Sequence, residues 1–169
     1  MQRHEVMDLL TGLKLHGMVS SFDETVSLGI KRQQPVLEIL GKLCQAETAE
    51  RKVRSIRYQM GIARFPVAKD IDNFNFIDSS VNEQLIRDLY CGYFLDQMRN
   101  LIFIGGTGTG KTHLSIAIAS HCIKSGRRGK FFSVIDLVNQ LEHEKEQGKA
   151  GRLADRLTRL NFVVLDELG

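Results

Sequence analysis

Eight residues in the middle of this chain, Gly105-Gly106-Thr107-Gly108-Thr109-Gly110-Lys111-Thr112, follow the spacing GxxxxGK[ST] and leave few folds open. The apolar run Leu101-Ile102-Phe103-Ile104 precedes them, and a helical pattern over 111–124 follows. A short unbroken apolar run is what a strand buried on both faces of a parallel sheet looks like. A loop between such a strand and a helix can turn consecutive N–H groups into one concavity, which side chains would block, so glycine is required. The helix N-terminus adds positive potential there, a lysine reaches the β- and γ-phosphates, and a threonine hydroxyl ligates Mg²⁺. The motif therefore predicts a nucleotide-binding protein of the P-loop NTPase class with an α/β fold.

The pattern after the loop agrees. Phe131-Phe132-Ser133-Val134 reads as a second strand, 136–146 and 152–160 as helices, and Phe162-Val163-Val164-Leu165 as a third strand. That last strand delivers Asp166 and Glu167 to its C-terminal edge, where open α/β sheets bind ligands. Asp166 is expected in the Mg²⁺ shell with Thr112. Glu167 is expected to polarise the attacking water, with Lys111 as the other catalytic group. Asp166-Glu167-Leu168-Gly169 also fits the D-x-x-G of GTPases, but the helices leading into the strand favour ATP.

Upstream, residues 1–66 read as an all-helical module. Val6, Leu9, Leu10 and Leu13 share one face, and Leu37, Leu40, Leu43, Cys44, Val53, Ile56 and Met60 make a long stripe after Pro35. Residues 67–79 read as a linker. In it Phe74 and Phe76 are explained equally well as flanks of an adenine pocket and as core at a domain junction. Ser80-Val81-Asn82-Glu83 reads as a capping box opening a helix to about Asp96, with Leu85, Ile86, Leu89, Tyr93 and Phe94 inward. The domain from 80 to 169 carries the phosphate site.

Charge bears on partners. The net charge of +3 is small, but residues 51–64 hold five Lys/Arg and no acid. Arg51, Lys52, Arg54 and Arg57 lie on successive turns, and either follow a DNA phosphate backbone or form a solvated face. Three scattered cysteines read as reduced core or half-buried thiols. His113 reads as a helix-surface residue. No apolar run is long enough to span a bilayer, which predicts a cytoplasmic protein with no membrane partner.

With the P-loop, the adjoining His113-Leu114, the acidic pair in LDELG, and a basic helix ending in Ala63-Arg64-Phe65-Pro66, the chain resembles the IstB-like ATPases along its whole length. These are transposition helpers of bacterial insertion sequences, related to DnaC helicase loaders and belonging to the AAA+ group. The more specific part is the order: helical module, ARFP, Asp72-x-Phe74-x-Phe76, then GTGKTHL. The resemblance implies ATP and Mg²⁺ as cofactors, homo-oligomeric assembly on duplex DNA, and a transposase encoded by the same element as partner. A helicase loader, or a non-catalytic remnant that binds DNA or a partner, is the alternative.

Many relatives carry a proline early in the loop where this chain has Gly106-Thr107. They also continue past LDELG through strands bearing a polar sensor residue and an arginine that completes a neighbour's site. One such strand lies between the P-loop strand and the strand of Asp166. The resemblance thus implies an AAA+ sheet that is C-terminally incomplete, in a truncated copy weak or inactive in hydrolysis.

Overall fold

A computed structural model describes residues 2–167. The chain divides into two compact units, Met1–Ser55 and Ile56–Gly169. The first holds α1 (Arg3–Gly12), α2 (His16–Lys31) and most of α3 (Val36–Ala63), so this part is helical throughout. Its tightest contact is the approach of α2 to α3. A Cβ on Gly17 would run into the backbone of Ala46 and Glu47, so only glycine permits the crossing. The close approach buries the Glu47 carboxylate, which accepts the Gly17 N–H at 2.7 Å and the Met18 N–H at 3.3 Å, satisfying donors that the first turn of α2 leaves open. Arg51 Nε donates to its other oxygen at 2.7 Å.

The apolar stripes expected to face inward do so only in part. Leu43 is buried, but Leu9, Leu13, Leu37, Leu40 and Val53 are exposed. Periodicity gives a face, and whether a partner covers it is a tertiary matter. Cys122 is buried, whereas Cys44 and Cys91 are free and exposed, against the expectation of half-buried thiols.

In the second unit a short 3₁₀ turn, Ile71–Asn73, leads to α4 (Glu83–Tyr90) and α5 (Tyr93–Asp96). The single helix expected from Ser80 to Asp96 is thus two. Asn82, rather than Ser80, is the N-cap, its side-chain oxygen accepting the Leu85 N–H at 3.0 Å. Gly92, at φ +79°, breaks the helix. Ile86 faces the core, but Leu85 and Tyr93 are exposed.

Helix α6 (Lys111–Lys124) is the centre of this unit, with eight residues from Leu114 to Ile123 buried. Such all-round burial needs cover on several sides. Ile71, Ile86, Leu114 and Ala117 form one core cluster, flanked by Phe74, Phe76 and Phe103. Strand β1 (Gly129–Ser133) and strand β2 (Phe162–Asp166) pair in parallel, with Gly129 opposite Phe162 and Ser133 opposite Asp166. Between them run α7 (Val134–Glu146) and α8 (Arg152–Leu157). Val134, expected in the strand, instead opens α7, because Ser133 caps that helix by accepting the Asp136 N–H.

The largest departure lies before the P-loop. Leu101–Ile104 is not a strand, and among the described residues no backbone hydrogen bond joins it to β2. A groove of about 830 Å³ is lined by this run on one side and by β2 on the other, with Ile118, Ala119 and Cys122 of α6 also in its wall. A strand exists through its ladder, and a run whose neighbouring position is open cannot form one. Among the described residues the sheet has two strands, β1 and β2. No described helix is long and apolar enough to cross a membrane.

Candidate functional site

The residues of the GxxxxGK[ST] motif form a loop that turns directly into α6. Gly108 and Gly110 have φ of +79° and +89°, a region that L side chains rarely adopt. Gly110 is doubly constrained, since a Cβ there would also enter the Phe74 ring. Around Gly106 and Gly108 there is open space on the side where a Cβ would stand, so the loop presents backbone to that space. Thr109 Oγ1 donates to the Gly106 carbonyl at 2.9 Å and braces the turn. Lys111 Nζ donates to the Gly105 and Gly106 carbonyls, both at 2.7 Å, so the ammonium is curled against its own loop.

Thr112, one residue into the helix, meets the second half of the motif. Its hydroxyl lies 3.1 and 3.0 Å from the two carboxylate oxygens of Asp166, the last residue of β2. Parallel pairing with β1 fixes where β2 ends, and α6 fixes where Thr112 points. A hydroxyl and a carboxylate side by side make the all-oxygen donor set that Mg²⁺ takes, so these two residues fit that ion. Glu167, the next residue, is exposed and has φ +62°, uncommon for a residue with a side chain. Leu168 and Gly169, needed for the D-x-x-G reading, lie outside the described residues.

His113 is not the plain surface residue expected. Its Nε2 donates to the Asp70 carbonyl at 2.8 Å, and its ring stands edge-to-face with Phe74 at 5.3 Å. Phe74 also packs on Phe76 at 4.8 Å, and Arg87 lies over the Phe76 ring. The Asp70 carboxylate is held below its usual range by the Asp72 N–H and by Lys124, 3.4 Å away. The segment 70–76 is therefore fastened to α6 along its length. Beside the loop it borders a hollow of about 520 Å³, lined by Phe74, Asn75, Asp78, Ser79, Gly108 and Lys111 among others. Asn75, Asp78 and Ser79 were missed in the sequence because nothing marks a polar residue in a linker as facing a loop 30 positions later.

The basic residues of α3 divide. Arg51 is paired with Glu47 at 2.7 Å and Arg54 with Glu50 at 3.5 Å. Lys52 and Arg57 are exposed.

Comparison with known proteins gives a family and a set of relatives. The profile of the IstB-like ATP binding proteins matches residues 8–169. A relative from Geobacillus stearothermophilus, named as an ATP-binding protein of insertion sequence IS5376, is 36% identical over 133 residues, covering 78% of this chain and 53% of the relative. One from Bacillus thuringiensis subsp. berliner, named likewise for IS232, is 30% identical over 158 residues, covering 93% of this chain and 63% of the relative. One from Pseudomonas aeruginosa, named for IS21, is 27% identical over 167 residues, covering 98% and 63%. The chain thus spans between half and two-thirds of the length of these three relatives.

Proposed function

This chain belongs to the IstB-like ATP binding protein family, and from that premise we propose that it binds ATP with Mg²⁺ as the helper of an insertion sequence, acting on DNA together with a transposase. The contact between Thr112 and Asp166 carries the nucleotide part of this reading. It brings two residues 54 positions apart to one point, next to a lysine and a loop whose backbone faces open space.

The chemistry follows from these groups. The amides of residues 105–110, with the N-terminal end of α6, bind phosphate oxygens. Lys111 exchanges its two carbonyl partners for phosphate oxygens, which gives it a charged acceptor in place of neutral ones. Thr112 and Asp166 are the residues that would hold Mg²⁺. When bound, Mg²⁺ and the triphosphate supply the charge stabilisation and leaving group for phosphoryl transfer to water. Glu167 orients that water by accepting its hydrogen bond.

The names of the relatives support the insertion-sequence context, and a transposase follows as the partner such an element encodes. The reading is tested by titrating ATP and GTP into the chain with and without Mg²⁺, then capturing the transposase of the same element on the loaded protein. ATP binding strengthened by Mg²⁺, lost in Lys111→Ala, is the expected result. Equal affinity of wild type and Lys111→Ala for ATP would refute it, and capture of a replicative helicase in place of the transposase would move the function to helicase loading.

A further inference from the structure

His113 stands between the P-loop and the segment that walls the hollow beside it. Successive residues of a helix leave its axis about 100° apart. His113 therefore turns away from the direction of Thr112, which meets Asp166, and faces the segment 70–76. A carbonyl oxygen only accepts, so the proton is on Nε2, which donates to Asp70 at 2.8 Å. The imidazole also meets the Phe74 ring edge-on at 5.3 Å. Phe74 in turn lies against Gly110, where a Cβ would stand 2.4 Å from its ring. One aromatic ring thus meets the residue before Lys111 and the residue after Thr112.

The other ties of this segment are looser. Lys124 lies 3.4 Å from the Asp70 carboxylate and Arg87 4.0 Å from that of Asp72, and both pairs are open to solvent, where ion pairs contribute little. Ile71 is buried and anchors the 3₁₀ turn, but apolar burial has no direction. The His113 bond is directional and half-buried, so water competes with it less. Beyond it, Asn75 Nδ2 donates to the Asp78 carboxylate at 2.6 Å, and Asn75 Oδ1 accepts the Ile77 N–H at 3.1 Å. These bonds make residues 75–78 one piece, which faces Gly108 and Lys111 across the hollow of about 520 Å³. An aromatic ring, a carboxylate and a hydroxyl beside a phosphate loop suit a nucleoside, which brings a flat base and polar edges.

We infer that His113 is a positioning residue: by holding Asp70 and Phe74 it sets the wall 74–79 at the distance from the P-loop at which the hollow takes the nucleoside part of the nucleotide. The inference rests on the proposal that the P-loop binds ATP, and it assigns His113 to the nucleoside end of that ligand rather than to its phosphates.

The test is calorimetric titration of the full chain with ATP and, separately, with inorganic tripolyphosphate, both with Mg²⁺. Wild type is expected to bind ATP more tightly than tripolyphosphate. His113→Phe keeps a ring against Phe74 and removes the donor; it should weaken ATP by about fivefold, the order of one lost hydrogen bond, and leave tripolyphosphate unchanged. His113→Gln, which keeps a donor, should restore ATP affinity. If His113→Phe folds poorly, His113→Ala carries the test with the same split between the two ligands. Equal losses for both ligands would make His113 a prop of α6 and overturn the inference, as would unchanged ATP affinity or a Gln variant no better than Phe. ATP bound no more tightly than tripolyphosphate by wild type would overturn it too, and leave the phosphate site standing. No binding of either ligand by wild type would instead overturn the ATP reading, and the inference with it.

Discussion

The Thr112 hydroxyl sits astride the Asp166 carboxylate, 3.1 and 3.0 Å from its two oxygens, and so joins the first turn of α6 to the end of β2. Asp166→Asn keeps the shape of this contact and removes its charge. ATP binding measured calorimetrically should then lose most of its strengthening by Mg²⁺, by tenfold or more, about 1.4 kcal/mol. Affinity without Mg²⁺ should hardly change. A variant that responds to Mg²⁺ as wild type does would place the ion elsewhere.

Gly110 and Phe74 make a second pair with a measurable coupling. Gly110→Ala forces a side chain to φ +89° and into the Phe74 ring. Denaturant unfolding should show a loss of about 1–3 kcal/mol. In a Phe74→Ala background the steric part disappears while the backbone strain stays. A double-mutant cycle should return a coupling of about 0.5 kcal/mol or more; strict additivity would show that the ring gives way freely.

Glu47 makes the helical unit sensitive to acid. Its bond to Arg51, and the Gly17 and Met18 amides, hold its carboxyl below the ordinary glutamate range. A depressed folded value means that the carboxylate stabilises the fold above the unfolded pKa, and that this stabilisation fades as pH falls. The window opens near pH 4.3, the ordinary glutamate value, and closes below the folded value. Glu47→Gln should flatten the unfolding profile across that window and lower stability at neutral pH. A parallel displacement of the two profiles would rule out the linkage.

The cysteines should separate by reactivity. Cys44 and Cys91 are exposed, and Cys122 is buried with its thiol pushed up by burial. A thiol reagent in excess should label two groups quickly and the third only upon unfolding. Three equal rates would mean that α6 is not the packed centre described.

Where sequence and structure place a residue alike, the signal was local. The loop glycines, Lys111 and Thr112 need only their neighbours to be understood, and Asp166 needs only the apolar run that carries it. Where reading fell short, the deciding partner was remote. His113 takes its meaning from Asp70, 43 residues earlier, and Glu47 from Gly17, 30 residues earlier. Leu101–Ile104 has the composition of a strand but no ladder, since pairing depends on a neighbour that composition does not encode. Leu37 and Leu40 keep helical spacing and still face solvent, because spacing does not say what covers a face. Arg51 and Arg54 look like free charge until the acids four residues before them are placed.

The groove between Leu101–Gly105 and β2 has an energetic consequence for the loop it adjoins. With no ladder to hold it, the run entering Gly105 resists displacement only through its side chains, and its amides should exchange with solvent far sooner than those of α6. Any nucleotide must then meet the entropy of fixing that entry out of its own contacts, which weakens apparent affinity by the fraction of time the entry is misplaced. A peptide segment laid along both open edges would remove that penalty in advance. Nucleotide affinity and strand pairing are by this route two readings of one equilibrium, and tightening either must tighten the other by the same factor.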